Sequence, residues 1–159
     1  MRIAYRILII AALGVLAASV AAAQNYSATL DALQEVPPNA SPGTGTATMV
    51  LDAGNMLTVH VDFSGLVAPV TAAHIHAPAP VGVNAPVRFP LIPPRPPSSP
   101  IDIVIGPLTV PQIADLDNGL SYVNIHTTMF PGGEIRGQIS RDTVPVEPGT
   151  WGHIKALYD

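Results

Sequence analysis

A two-residue alternation of apolar and polar side chains constrains this chain more than any other feature. Over residues 56–63, Leu57, Val59, Val61 and Phe63 fall on one side of an extended backbone, and Thr58, His60, Asp62 and then Ser64 fall on the other. A period of two describes a strand with one buried and one solvated face; a helix would mix the two sets. The first strand, over 26–33, opens the same way, with Tyr26, Ala28 and Leu30 set against Ser27, Thr29 and Asp31. Further strands are predicted at 46–51, 70–76, 87–91, 101–105, 120–128 and 134–140.

Breakers separate these runs. Pro37-Pro38 ends the first, because consecutive prolines donate nothing to a ladder. Asp52-Ala53-Gly54-Asn55 reads as a hairpin turn, and Pro131-Gly132-Gly133 as a turn joining the last two strands. Residues 77–100 form a long proline-rich connection, and 110–116 a single helical turn ended by Asp117-Asn118-Gly119. Short strands at this spacing predict an all-β fold, a Greek-key β-sandwich or barrel of about seven to eight antiparallel strands.

Residues 1–23 stand apart from the folded region. Arg2 and Arg6 precede an apolar run, and Ala21-Ala22-Ala23 closes it, which is the order of a secretory signal cleaved before Gln24. A membrane anchor is the alternative, but the Ala-rich run from Ile7 to Ala23 is short for a spanning helix at 17 residues. No cysteine follows the run, which excludes a lipid-anchored bacterial precursor. The expected organisation is a signal helix at 1–23, a β domain at 24–140, and a linker with a short C-terminal tail at 141–159. The location is then secreted, periplasmic or at the cell surface, with no membrane span after cleavage.

Charge and cysteine content narrow the function. The mature chain keeps five basic residues against eleven acidic ones, a net charge of −6. It cannot neutralise a phosphate backbone, so nucleic acid is not an expected partner. With no cysteine, disulfides, thiolate ligands and thiol nucleophiles are all excluded. No paired-carboxylate, Gly-x-Ser-x-Gly or phosphate-loop pattern is present, so no catalytic residues are assigned.

The histidines carry the one constellation with chemistry in it. His74 and His76 are two apart on a predicted strand and share a face. His126 follows Val123 and Ile125, which point to the core, so Tyr122, Asn124 and His126 point away. If the two strands are neighbours, three imidazoles meet on one sheet surface. Three histidines without a thiolate suit zinc or copper with an open coordination position, and Asn124, Glu134 and Asp62 are candidates to support the ligands from behind. The same spacing also suits a polar strand face, or imidazoles hydrogen-bonded to the following loop. His60, beside Asp62, reads as a solvated strand residue, and Glu134 with Arg136 as a local ion pair or a cross-strand contact. His153, in the tail, is given no role.

Leu33-Gln34-Glu35-Val36-Pro37-Pro38, Gly43-Thr44-Gly45-Thr46-Ala47, Ser64-Gly65-Leu66, Ala73-His74-Ile75-His76, Tyr122-Val123-Asn124-Ile125-His126-Thr127 and Pro131-Gly132-Gly133-Glu134-Ile135-Arg136-Gly137-Gln138 occur in this order. Together they resemble the CHRD (chordin) domain, from about Tyr26 to Ser140. The resemblance implies a β-rich extracytoplasmic domain, known also from many bacterial proteins, with no catalytic residue to carry over. It implies a non-enzymatic binding or structural module whose partner is an unknown protein or cell-surface ligand. The histidine pattern matches at His74, His76 and His126. Pro78, Pro80 and the proline-rich stretch 90–100 depart from it. The chain is more loosely similar to the copper/zinc superoxide dismutase sandwich, through its His-x-His strand and late Gly-Gly turn. It lacks that enzyme's fourth copper histidine, its zinc loop and its cysteine pair, so a dismutase-like enzyme or a metal carrier is the alternative function.

Overall fold

A computed structural model describes residues 23–91 and 98–143. Nine strands and one short helix are formed among them, in the order β1 (Gln24–Asp31), β2 (Thr44–Leu51), β3 (Leu57–Ser64), β4 (Val70–His76), β5 (Val87–Pro90), β6 (Ile101–Ile105), α1 (Val110–Asp117), β7 (Tyr122–Thr127), β8 (Ile135–Gln138) and β9 (Ser140–Arg141). They build one antiparallel, nearly closed, barrel-like sheet in the order β5-β4-β7-β8-β1-β2-β3-β6, with β9 added beside β1. The expected all-β class is therefore found, with eight strands along the path and the two-residue β9 beside it. The signal helix over 1–23 and the tail beyond Thr143 fall outside the described residues, apart from Ala23. No described helix is long and apolar enough to cross a membrane.

Alternation sets which face is buried. Tyr26, Ala28 and Leu30 of β1, Ala47, Met49 and Leu51 of β2, Leu57, Val59 and Val61 of β3, Ala73 and Ile75 of β4, Val123 and Ile125 of β7 and Ile135 of β8 share one core. A one-residue slip in any pairing would turn these side chains out to water, so the register is specified by burial.

Local polar groups fix the ends of the elements. β1 stops at Asp31, two residues before the alternation alone suggests. The Asp31 carboxylate accepts from the backbone of Leu33 at 2.9 Å and of Gln34 at 3.0 Å, which starts a 3-10 turn over Ala32–Gln34. In the β2–β3 hairpin the Asp52 carboxylate accepts from Gly54 and Met56, each at 2.8 Å, and Asn55 takes a positive φ of 62°. The predicted helical turn is α1, with Thr109 at its N-cap in a capping box with Gln112. Strand pairing runs past the expected boundary at Ser140: Arg141 registers with Tyr26, and the Asp142 amide donates to Asn25 O at 2.9 Å.

β4 and β7 are neighbours, with His74 opposite Asn124 and His76 opposite Tyr122. β8 flanks β7 on its other side, with Arg136 opposite Asn124 and Gln138 opposite Tyr122. These polar residues share the face turned away from the core. That face is covered. The segment 77–86 folds back across it, anchored by Ala79 N to Leu120 O at 2.8 Å, Gln138 Nε2 to Ala79 O at 2.9 Å and Ala85 N to the Tyr122 hydroxyl at 3.1 Å. Every residue of β7 is consequently buried.

Candidate metal centre

The strand pairing brings together the three histidines singled out in the sequence. One ring nitrogen from each of His74, His76 and His126 lies within 4.8 Å of the others. Ring centroids are 4.8 Å apart for His74 and His126, 5.5 Å for His74 and His76, and 5.7 Å for His76 and His126. A tetrahedral ion with metal–nitrogen bonds of about 2.0–2.1 Å places its donors about 3.3 Å apart. His74 Nδ1 and His126 Nε2 are already 3.1 Å apart. The nitrogen offered by His76 lies within 4.8 Å of both.

Two of the rings are fixed by carbonyl oxygens, which can only accept. His76 Nδ1 donates to Ala85 O at 2.9 Å, and His126 Nδ1 donates to Pro131 O at 3.0 Å. In each neutral ring the lone pair is left on Nε2. This is the outer-shell arrangement that orients histidine ligands in metal sites. His126 Nε2 accepts from His74 Nδ1. His76 Nε2 is buried and has no partner among the described residues, an arrangement that costs desolvation without return. His76 also stacks on Tyr122, with planes 3° apart and centroids at 4.9 Å. The Arg136 guanidinium carbon lies 3.5 Å from the centroid of the Tyr122 ring.

Burial holds all three histidines neutral. It lowers each below the ordinary imidazole value, and His126 falls to about 4 with help from the neighbouring His74. A metal therefore meets ligands with no proton to displace near neutral pH. His74 is the most exposed of the three, so the cluster opens to solvent on its side.

The proposed supporting residues separate. Asn124 is on the same face, paired in register with His74, and its amide faces Gly132 O at 3.4 Å. Glu134 is fully buried but turned elsewhere: it accepts from Ser41 Oγ at 2.6 Å, Val67 N at 2.7 Å and Thr127 Oγ1 at 2.7 Å. The expected Glu134–Arg136 ion pair does not form. Glu134 precedes β8, so the same-face rule does not apply to it. Arg136 instead donates to Val83 O at 3.0 Å and Asn84 Oδ1 at 3.3 Å. Asp62 is on β3, part of a separate exposed set in which His60 bonds Asp102 at 2.6 Å and Asp62 at 2.8 Å. Those two bonds push the His60 pKa up. His153 lies outside the described residues.

Sequence reasoning missed Glu35 and the Tyr122–Arg136 contact. Parity across the β7–β8 hairpin carries a signal for the second. Glu35 arrives on a loop, with no periodic signal at all. Burial pushes its carboxyl up to about 7, against the opposing pull of Arg136.

A family model described as the CHRD domain matches residues 26–139, nearly all of the β domain and all three histidines. No curated protein and no solved structure matches the chain.

Proposed function

We infer that this chain, which belongs to the CHRD domain family, is an extracytoplasmic binding module that holds one zinc or copper ion through His74, His76 and His126. The observation that carries this reading is the buried, unpartnered Nε2 of His76 in a cluster whose three rings each offer a nitrogen within 4.8 Å of the others. A metal ion would take the place of the hydrogen bond between His74 and His126, once the His74 proton moves to its other nitrogen. Three protein ligands leave a position for water or a partner's side chain. Residues 1–23, with their signal-peptide order, support export.

The protein acts by binding rather than by catalysis. Its buried loops serve to fix ligand geometry. A metal-free structural network is the second reading, favoured by the 3.1 Å contact that already satisfies His74 and His126. A thermal melt of tag-free protein separates the two. With free zinc or copper about 100-fold above its dissociation constant, the metal reading predicts about 2.7 kcal/mol of added stability. A His76→Ala variant should lose that increment. An unchanged melting temperature with both metals supports the structural network.

A further inference from the structure

We propose that Arg136 is a positioning residue for the candidate metal centre: through Tyr122 and through the loop at 83–85 it holds the His76 ring in the tautomer and orientation that a metal requires. The inference rests on the metal reading above and adds to it a residue that bonds to none of the three histidines. Arg136 is 1% exposed and among the largest fully buried side chains. No carboxylate lies within ion-pair distance of it among the described residues. Burying a cation without an opposite charge is costly, and a neutral side chain would fill the space at less cost. What the guanidinium touches shows what it does there.

It meets neutral groups on two sides. One is the Tyr122 ring, whose centroid lies 3.5 Å from the guanidinium carbon. β7 runs between β4 and β8, so Tyr122 stands between His76 on one side and Arg136 on the other. The same ring stacks on His76 with planes 3° apart. The other side is the loop. Arg136 donates to Val83 O at 3.0 Å and Asn84 Oδ1 at 3.3 Å, and also to Gln138 Oε1 at 3.3 Å. Ala85 follows directly: its carbonyl accepts from His76 Nδ1 at 2.9 Å, and its amide donates to the Tyr122 hydroxyl at 3.1 Å. The contacts thus close a ring, from Arg136 through Tyr122, His76 and Ala85 back to Arg136 by way of Asn84. A guanidinium suits this place because it offers donors along its edge and a flat face to the aromatic ring; an ammonium offers neither. The outcome for His76 is a proton kept on Nδ1 and a lone pair kept on Nε2, which is what outer groups do for a histidine ligand.

Arg136→Lys keeps the charge and loses the planar fork, and imidazole proton–nitrogen NMR correlations in metal-free protein read the tautomers. The wild type should show His76 and His126 each protonated on Nδ1. In Arg136→Lys, His76 should exchange between its two tautomers, while His126, fixed by Pro131 O in a different loop, should stay as it is. Affinity for the metal that the wild type takes up, zinc or copper, should fall at least about tenfold, as on loss of other groups behind a ligand. His126 is the internal control, because general loosening of the sheet would disturb it as well. An unchanged His76 tautomer, an unchanged metal affinity, or equal disturbance of His76 and His126 in folded Arg136→Lys overturns the proposal. Should that variant fail to fold, Tyr122→Leu, which removes the intervening ring and keeps an apolar side chain, is read by the same criteria. A wild type that takes up neither zinc nor copper contradicts the metal reading itself, and this inference with it, so the two failures are told apart.

Discussion

His74 Nδ1 and His126 Nε2 lie 3.1 Å apart although 52 positions separate them in the chain. The contact exists because β4 and β7 pair antiparallel, which sets Ala72 opposite His126 and His74 opposite Asn124. A diagonal between neighbouring strands is within reach of two imidazoles. The cluster is thus a product of sheet topology, and its imidazoles stand on strands that also carry the core.

Removing one ligand should abolish metal binding without unfolding the domain. His126→Ala leaves Ile125 and its packing in place but deletes the Nε2 that faces His74. We expect a folded variant with the wild-type circular dichroism spectrum and no saturable zinc or copper uptake by calorimetry.

Acid should weaken both the metal site and the fold. The native His126 pKa, held near 4, is below that of the unfolded chain at about 6.5. Between these values the unfolded state binds more protons, so the stability His126 contributes is complete above pH 6.5 and is lost as pH falls through about 4. The midpoint of urea unfolding in metal-free protein should show this fall, and His126→Asn should show less of it.

Glu35 works in the opposite direction. Its native pKa is raised to about 7, so its contribution is complete below about 4.5 and is lost as pH rises through 7. Glu35→Gln should therefore raise the melting temperature by a few degrees at pH 8 and leave it nearly unchanged at pH 4. A scanning calorimeter checks both.

Gly133 is required by backbone and space together. Its φ is +134°, and an added Cβ would collide with the Asn124 amide and with Glu35 Oε1. Gly133→Ala should cost about 2–3 kcal/mol in denaturant unfolding. It should also displace Pro131 O from His126 and lower metal affinity.

Glu134 is a structural carboxylate. Three donors meet it, from Ser41, Val67 and Thr127, with no water-exposed surface. Glu134→Ala should destabilise the domain by about 3 kcal/mol, since it strands those donors in the interior. Zinc uptake by whatever folded fraction remains should still be stoichiometric.

Much of this architecture is legible in the sequence because alternation is a local property. Leu57, Val59 and Val61 announce their face without reference to any other strand, and the predicted bounds of β4 and β6 match those found. Parity likewise puts His74 with His76, and His126 opposite Val123 and Ile125. Burial of the histidine face is not local. It depends on the proline-rich segment 77–86 folding over β4, β7 and β8 through contacts such as Arg136 to Val83 O. Nothing in the order of prolines and valines states where such a segment lands. Glu35 was hidden for the same reason. Glu134 escapes the same-face rule because it stands one residue before β8 begins.

The three imidazoles are proposed as ligands rather than as an internal hydrogen-bond network. Metal analysis of tag-free protein, with X-ray absorption at the metal edge, tests it most directly. Ligands of this kind give one zinc or copper per chain with three nitrogen neighbours at about 2.0–2.1 Å, and none of this in His76→Ala. Protein that stays metal-free after incubation with either ion, or a bound metal retained in full by His76→Ala, would contradict it.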